Sequence, residues 1–328
     1  MIRLALALLL VALSLGFSYQ LVARARDLRR NPAPGQMVDI GGYRLHIHCT
    51  GHGSPTVILE AGGANGSLSW YQVQPLIARF TRVCAYDRAG HGWSDSIPKS
   101  RLPSEIAEEL HGLLARARID GPYVFVGHSI GGFYAWIFAA RFRNQVAGVV
   151  LVDSSHPDQY QRLPKGMQVL ERDGQRKINE RIIEAYFGLP RFFGWEYCGG
   201  GPPKIKDALR ATECGPQFYR TIRDEFGGAT NSWEFQDAAR QFRSVGPISD
   251  MPLTVIAQDP NKPNPGLPAD LDASFRQVHL ELERDLLHLS QRSTFVIATN
   301  SGHMIPFERP DLIAECVHRM TSSKIAPE

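Results

Sequence analysis

The sequence of 328 residues predicts an α/β protein with a mostly parallel central sheet flanked by helices. Three observations carry that reading. Strand-like and helix-like segments alternate along the body. The runs Val146–Val152, Leu253–Ala257 and Thr294–Ala298 are apolar without alternation, as strands covered on both faces are. A further apolar segment, Tyr123–Val126, passes through a short Gly-rich turn straight into helical spacing at Gly131–Arg141. With 43% apolar and 21% charged residues, the chain is not disordered or collagen-like, and its length buries a full core.

Taken in order, the chain opens on an apolar stretch, Ile2–Val22, with an unbroken run from Leu4 to Leu13. About 20 such residues span a bilayer as a helix. An Arg cluster follows, Arg24 to Arg30. Two fates are open: an uncleaved anchor, or a signal peptide cut after Ala23-Arg24-Ala25. Arg24 and Arg26 crowd that cleavage site, which favours the anchor. The expected location is therefore a membrane, written as a bacterial-type inner membrane or envelope, with secretion as the alternative. The side stays open. The positive charge after the segment would hold the body in the cytoplasm, whereas short anchors ahead of folded domains often export them.

The first 30 residues carry five Arg against Asp27, a net of +4, and the whole chain is +3, so the rest sums to −1. A near-neutral body excludes the clustered basic face that nucleic acid requires. Asn31–Gly35 reads as a stiff linker. Met37–Ile40, Tyr43–Cys49, Thr56–Glu60 and Val83–Tyr86 read as strands, with a Gly41-Gly42 turn between the first two. Ser104–Ala117 reads as a helix, with Ile106, Leu110, Leu113 and Leu114 on one side. Residues 154–250 break the rhythm. They are helical in character and rich in aromatics, among them Tyr186, Phe192, Phe193, Tyr197, Phe218, Tyr219, Phe226, Trp233 and Phe235. They are expected to form a cap inserted into a core of residues 37–153 and 251–328, some of the aromatics lining an apolar substrate cavity.

Gly127-His128-Ser129-Ile130-Gly131 is a G-x-S-x-G motif. Alone it is weak; between a strand and a helix it is the setting in which a strained turn projects a serine hydroxyl into a cleft. A hydroxyl is a poor nucleophile until a base takes its proton. His303, in the loop after the last strand, is the candidate base. His128 reads as a packing residue of the elbow, and His156 as an edge of the pocket. His46-x-His48 has no third ligand nearby and reads as sheet packing. The base needs an orienting carboxylate. Asp153, ending one strand, and Asp259, two residues past another, both give the order Ser…Asp…His, with Asp153 favoured slightly. Cys198 and Cys214 are 16 residues apart; they form either a disulfide, which requires an exported body, or two free thiols. No phosphate-binding loop or dinucleotide fingerprint is present, so no cofactor is expected, and no metal or obligate protein partner either.

These motifs resemble the α/β-hydrolase superfamily, in its capped branch of serine hydrolases and esterases, over about residues 37 to 320. Asp87-Arg88-Ala89-Gly90-His91-Gly92-Trp93-Ser94-Asp95 is similar to that family's D-x-x-G-x-G-x-S loop. Glu60-Ala61-Gly62-Gly63 stands where the family carries His-Gly, which implies backbone N–H donors at Gly63 and Ile130 for an oxyanion. The resemblance implies a Ser-His-Asp triad of Ser129, His303 and one of the two aspartates, acting through an acyl-enzyme on an apolar carboxylic ester. Aminopeptidase, thioesterase, lactonase and C–C hydrolase chemistry would use the same triad. A non-catalytic binding protein on this fold is the alternative of another class.

Overall fold

A computed structural model describes residues 1–97, 102–195, 198, 200–225 and 233–322. The eight strands are β1 (Gln36–Asp39), β2 (Arg44–Thr50), β3 (Thr56–Glu60), β4 (Val83–Tyr86), β5 (Tyr123–His128), β6 (Val146–Val152), β7 (Leu253–Gln258) and β8 (Ser293–Ala298). They form one sheet in the order β1-β2-β4-β3-β5-β6-β7-β8. The pairs β1–β2 and β2–β4 are antiparallel and the remaining pairs are parallel. The strands expected from apolar runs fall within two residues of those observed. β3, β5 and most of β6 are buried on both faces, which is why they read as continuous apolar runs.

The sheet is covered on both sides. One layer packs helices Pro103–Arg116 and Gly131–Arg141 through Leu110, Leu113, Phe133, Trp136 and Phe138. The other packs Val73–Ile77 and Pro310–Ser322 through Val73, Ile77, Ile313 and Val317. Each fully buried side chain of this size contributes about 1.5–3 kcal/mol, so the two layers hold the strand ends in fixed relation.

Between β6 and β7 the described residues hold six helices and no strand: Gln159–Arg162, Lys165–Tyr186, Leu189–Phe193, Lys206–Glu213, Pro216–Glu225 and Trp233–Val245. Tyr197 and Phe226 lie outside the described residues, as do the side chains of Trp233 and Phe235. Phe218 and Tyr219 are buried in the segment's own core, whereas Phe192 and Phe193 are exposed. The N-terminal stretch is a single helix, Ile2–Arg30, long and apolar enough to cross a membrane.

Disulfides join Cys49 to Cys84 and Cys198 to Cys214, leaving Cys316 as the free thiol. Cys49 and Cys84 face each other directly across the antiparallel β2–β4 pair, with Cα atoms 4.0 Å apart.

Candidate active site

The site is assembled where β3, β5, β6 and β8 end. At the end of β5 the chain turns sharply: Ser129 has φ +52°, a left-handed conformation that costs a non-glycine residue about 1–3 kcal/mol. Its neighbours hold it there. Ser129 N donates to the Val152 carbonyl at 3.1 Å, and the Ser129 carbonyl accepts from Gly132 N at 2.9 Å and Ser155 N at 3.0 Å. The two motif glycines are sterically required, for different reasons. A Cβ on Gly131 would sit 2.4 Å from the Ala61 carbonyl at the end of β3, a neighbouring strand. A Cβ on Gly127 would instead meet Gly131 O at 2.6 Å, inside the elbow itself. Helix Gly131–Arg141 starts directly behind Ser129 and turns its positive end toward it.

His303 is carried by the loop after β8, its side chain 47% exposed. The His303 ring lies 4.7 Å from the ring of His128, and His128 Nε2 is 2.8 Å from the His303 carbonyl. Burial, aided by repulsion from His303, pushes His128 down to about 3, so it stays neutral and pins the loop that carries His303.

Of the two candidate acids, the structure brings Asp153 to His303. Asp153 Oδ2 is 2.6 Å from His303 Nδ1. Asp153 is itself strained, at φ +42°, because the chain leaves β6 by turning its carboxylate under the imidazole. Asp259 lies near but faces elsewhere: its two oxygens accept from Asn300 N and Asn261 N, each at 2.8 Å, and hold the loops after β7 and β8.

Sequence reasoning missed two residues. Asp153 Oδ1 accepts from Gln258 N at 2.8 Å and lies 3.0 Å from Nε2 of His279, on helix Ala269–Asp285. Glu283, one turn further along, is fully buried with a carboxylate oxygen 3.7 Å from the same nitrogen. Burial alone would raise the Asp153 carboxyl; the charge and hydrogen bond of His279, then those of His303, outweigh it and hold the group well below the usual range. Burial lowers His279, but the Asp153 carboxylate outweighs it and raises His279 above its ordinary value. Burial, with Asp153 adding, pushes Glu283 well up. Ligand atoms of Asp153, His279 and Glu283 lie within 4.8 Å of one another, close enough for an ion. Asp153 Oδ1 is already shared by two donors, so His279 is a hydrogen-bonded extension of the Asp153–His303 pair, whereas neither carboxylate oxygen of buried Glu283 has a hydrogen-bond partner among the described residues. The available signal was His279 and Glu283 at i,i+4 spacing on one helix face.

The β3 loop completes the cradle. Gly62 is in contact with the elbow: a Cβ there would lie 2.8 Å from His128 Nδ1 and 3.3 Å from Ser129 Cβ. Gly63 follows, half-buried. The next N–H, that of Ala64, is committed to Glu225 Oε2 at 2.8 Å, which leaves Gly63 as the donor candidate beside Ile130. A buried network fixes this loop. Arg88 bonds Glu60 at 2.7 Å, the Ala61 and Gly62 carbonyls at 2.7 and 2.8 Å, and Glu225 of helix Pro216–Glu225 at 2.7 Å. His91 Nε2 lies 3.3 Å from Glu225. The Asp87–Asp95 loop is thus structural: Asp87 accepts from Ser67 N and Trp93 N and pairs with His46, so His46, expected as sheet packing, is a buried hydrogen-bonding residue whose other ring nitrogen meets the Pro34 carbonyl. His156 does not edge a described cavity; its Nδ1 accepts from Asp158 N at 3.1 Å, and burial lowers it to about 4.

A cavity of about 490 Å³ lies beside this cradle, between the β3 loop and the inserted helices. Its lining includes Asn65, Ile178, Ile205, Leu209, Tyr219 and Phe307 but neither Ser129 nor His303, so it borders the β3 loop rather than the Ser129–His303 cluster itself. Of the aromatics expected to line a cavity, Tyr219 does so.

A family model described as the alpha/beta hydrolase family matches residues 45–316. An uncharacterized protein of Schizosaccharomyces pombe is 28% identical over 324 residues, covering 86% of this chain and 54% of that one. The chain spans about half the length of the first curated relatives it matches. Among solved structures, a thermophilic esterase from Thermogutta terrifontis is 20% identical with a TM-score of 0.58, covering 87% of this chain and 98% of that one. An enol-lactonase from Burkholderia xenovorans LB400 is also 20% identical, with a TM-score of 0.59 over 87% and 99% of the two chains. At that identity both show a shared fold.

Proposed function

The chain belongs to the alpha/beta hydrolase family, and from that premise we propose that it is a serine hydrolase cleaving an apolar carboxylic ester. Ser129 Oγ attacks the carbonyl and His303 takes its proton. Asp153 holds the imidazole with Nδ1–H inward, which leaves Nε2 free to accept. The N–H groups of Gly63 and Ile130 bind the oxyanion. The tetrahedral intermediate expels the alcohol, protonated by His303, and water activated by the same base releases the acid. The observation that carries this reading is the strained Ser129 elbow in the same strand-end cluster as the 2.6 Å His303–Asp153 pair. The apolar lining of the adjoining cavity supports an apolar acyl or alcohol group.

Residues 154–250 act as a cap in this reading, over a core of 37–153 and 251–328, and helix Ile2–Arg30 anchors the protein in a membrane. Two disulfides favour a body on the oxidising side, since thiols in the cytosol are kept reduced. The full chain in detergent should be labelled by a fluorophosphonate, and Ser129→Ala should abolish both labelling and hydrolysis of short nitrophenyl esters. A folded protein that resists labelling would sink the proposal and favour a binding role.

A further inference from the structure

Helix Ile2–Arg30 does not hang free of the body. It is exposed from Ile2 to Tyr19 except at Leu13 and Gly16, and then buries Gln20, Ala23 and Asp27 against the inserted helices. The contact is specific. Arg191, fully buried, donates through Nε to Gln20 Oε1 at 3.0 Å and pairs through Nη1 with Asp27. Gln20 Nε2 donates to the Cys214 carbonyl at 3.1 Å, and Arg210 lies 3.6 Å from Asp27. Two turns of the helix are thus clamped by a buried polar cluster whose other half belongs to the cap. Cleavage after Ala25 would strip Gln20 from Arg191.

The clamp sets the depth of the cap. The apolar run Ile2–Val22 rises about 31 Å as a helix, close to the thickness of a hydrocarbon core. Once that run spans, Tyr19 lies within about 5 Å of the boundary, because Val22 is three positions further along the helix. Whatever touches Tyr19 is carried to the same depth. The Phe192 ring is 6.3 Å from Tyr19 in an edge-on contact, and Gly188 also packs on Tyr19. Phe192 is 70% exposed, Phe193 57% and Leu189 37%, three large apolar side chains on one short helix. Trp195 stacks on Phe193 at 5.0 Å, with the Arg181 guanidinium 4.4 Å above its ring. Arg24, Arg26, Arg29 and Arg30 follow directly. Exposed aromatics followed along the anchor helix by a run of cations match the apolar-to-anionic profile of a bilayer surface.

Two neighbouring helices of this assembly wall the cavity, although helix Leu189–Phe193 does not line it. Helix Lys206–Glu213, which carries Arg210 against Asp27, presents Leu209 to the cavity, and helix Lys165–Tyr186 presents Ile178. We propose that helix Leu189–Phe193 seats in the bilayer interface, and that the enzyme draws a long-chain acyl ester from the membrane rather than from water. The substrate half rests on the hydrolase reading; the seating does not.

The test uses the full chain in phosphatidylcholine vesicles. An environment-sensitive fluorophore at Phe192→Cys, in a Cys316→Ser background, is compared with one at His52→Cys, which follows β2 at the starting ends of the parallel strands, away from the site. The Phe192 label should be blue-shifted and quenched by lipids carrying a doxyl group near the headgroup, and the His52 label should not. A Phe192 label that behaves like the His52 label overturns the seating. Phe192→Ser with Phe193→Ser should slow hydrolysis of vesicle-borne nitrophenyl palmitate by about tenfold and leave nitrophenyl acetate within about twofold. Equal effects on both esters overturn the substrate half. If the unaltered protein cleaves neither ester, the hydrolase reading falls along with the substrate half, and the label alone decides the seating.

Discussion

Replacing Asp153 by Asn tests the arrangement at its centre. Three donors converge on the carboxylate: Gln258 N at 2.8 Å and His279 Nε2 at 3.0 Å on Oδ1, and His303 Nδ1 at 2.6 Å on Oδ2. An amide keeps one acceptor oxygen and gains an NH2. The backbone N–H of Gln258 cannot change roles, so the oxygen must stay on the Oδ1 side. The NH2 then faces His303 Nδ1 and forces the proton onto Nε2, the nitrogen that accepts from Ser129 in the proposed mechanism. The wrong tautomer and the lost countercharge together should lower kcat/KM by about 10³–10⁴, or roughly 4–5.5 kcal/mol of transition-state stabilisation. Hydrolysis of a short nitrophenyl ester and the rate of fluorophosphonate labelling read this directly, with thermal melting as the check on folding. Asp259→Asn loses one of two backbone acceptors in an adjoining loop and should cost less than about tenfold. A well-folded Asp153→Asn within tenfold of the unaltered enzyme, or an Asp259→Asn that falls as far, would refute the reasoning.

Further outcomes follow from the surrounding network. His279 is raised above its ordinary value of 6.5 by the Asp153 carboxylate, so its protonated form stabilises the fold fully below that value, and the contribution fades as pH rises through the folded value. Urea unfolding should therefore show the stability gap between the native protein and His279→Gln largest in acid buffer and shrinking in alkaline buffer; a gap that widens with pH would contradict it. Glu225→Ala leaves Arg88 buried with one carboxylate fewer and frees the Ala64 N–H, which should cost about 3–5 kcal/mol of stability. Its kcat should fall more than its KM rises as the loop bearing Gly63 loosens, and an unchanged kcat would argue against Gly63 as a donor. Alkylation of the denatured, unreduced protein should modify Cys316 alone, and opening the Cys198–Cys214 loop should lower stability by roughly 3 kcal/mol.

Much of this site is legible in the amino-acid sequence, because its signals are local. The Ser129 elbow is a strand, a tight Gly-flanked turn and a helix within about twenty residues, each encoded by neighbours in the chain. His303 announces itself by following a strand-like run, and the sheet's buried strands by their unbroken apolar sequence. The choice between Asp153 and Asp259 is not local. Both end neighbouring strands, and which carboxylate reaches His303 depends on the positive φ at Asp153 and on backbone amides that engage Asp259 elsewhere. His279 is 126 residues from Asp153 and sits on an ordinary amphipathic helix; only the packing of that helix beside β7 delivers its ring to the carboxylate. The same holds for Cys49–Cys84, which needs the β2–β4 register, for Arg88 with Glu225, and for Arg191 with Gln20 and Asp27. Sequence alone determined the fold class and singled out Ser129 and His303 as the candidate nucleophile and base, since periodicity and turn chemistry act over a few residues. Tertiary structure decided every partner of those groups, since a buried ion pair or hydrogen bond forms between surfaces that meet only after the chain has closed.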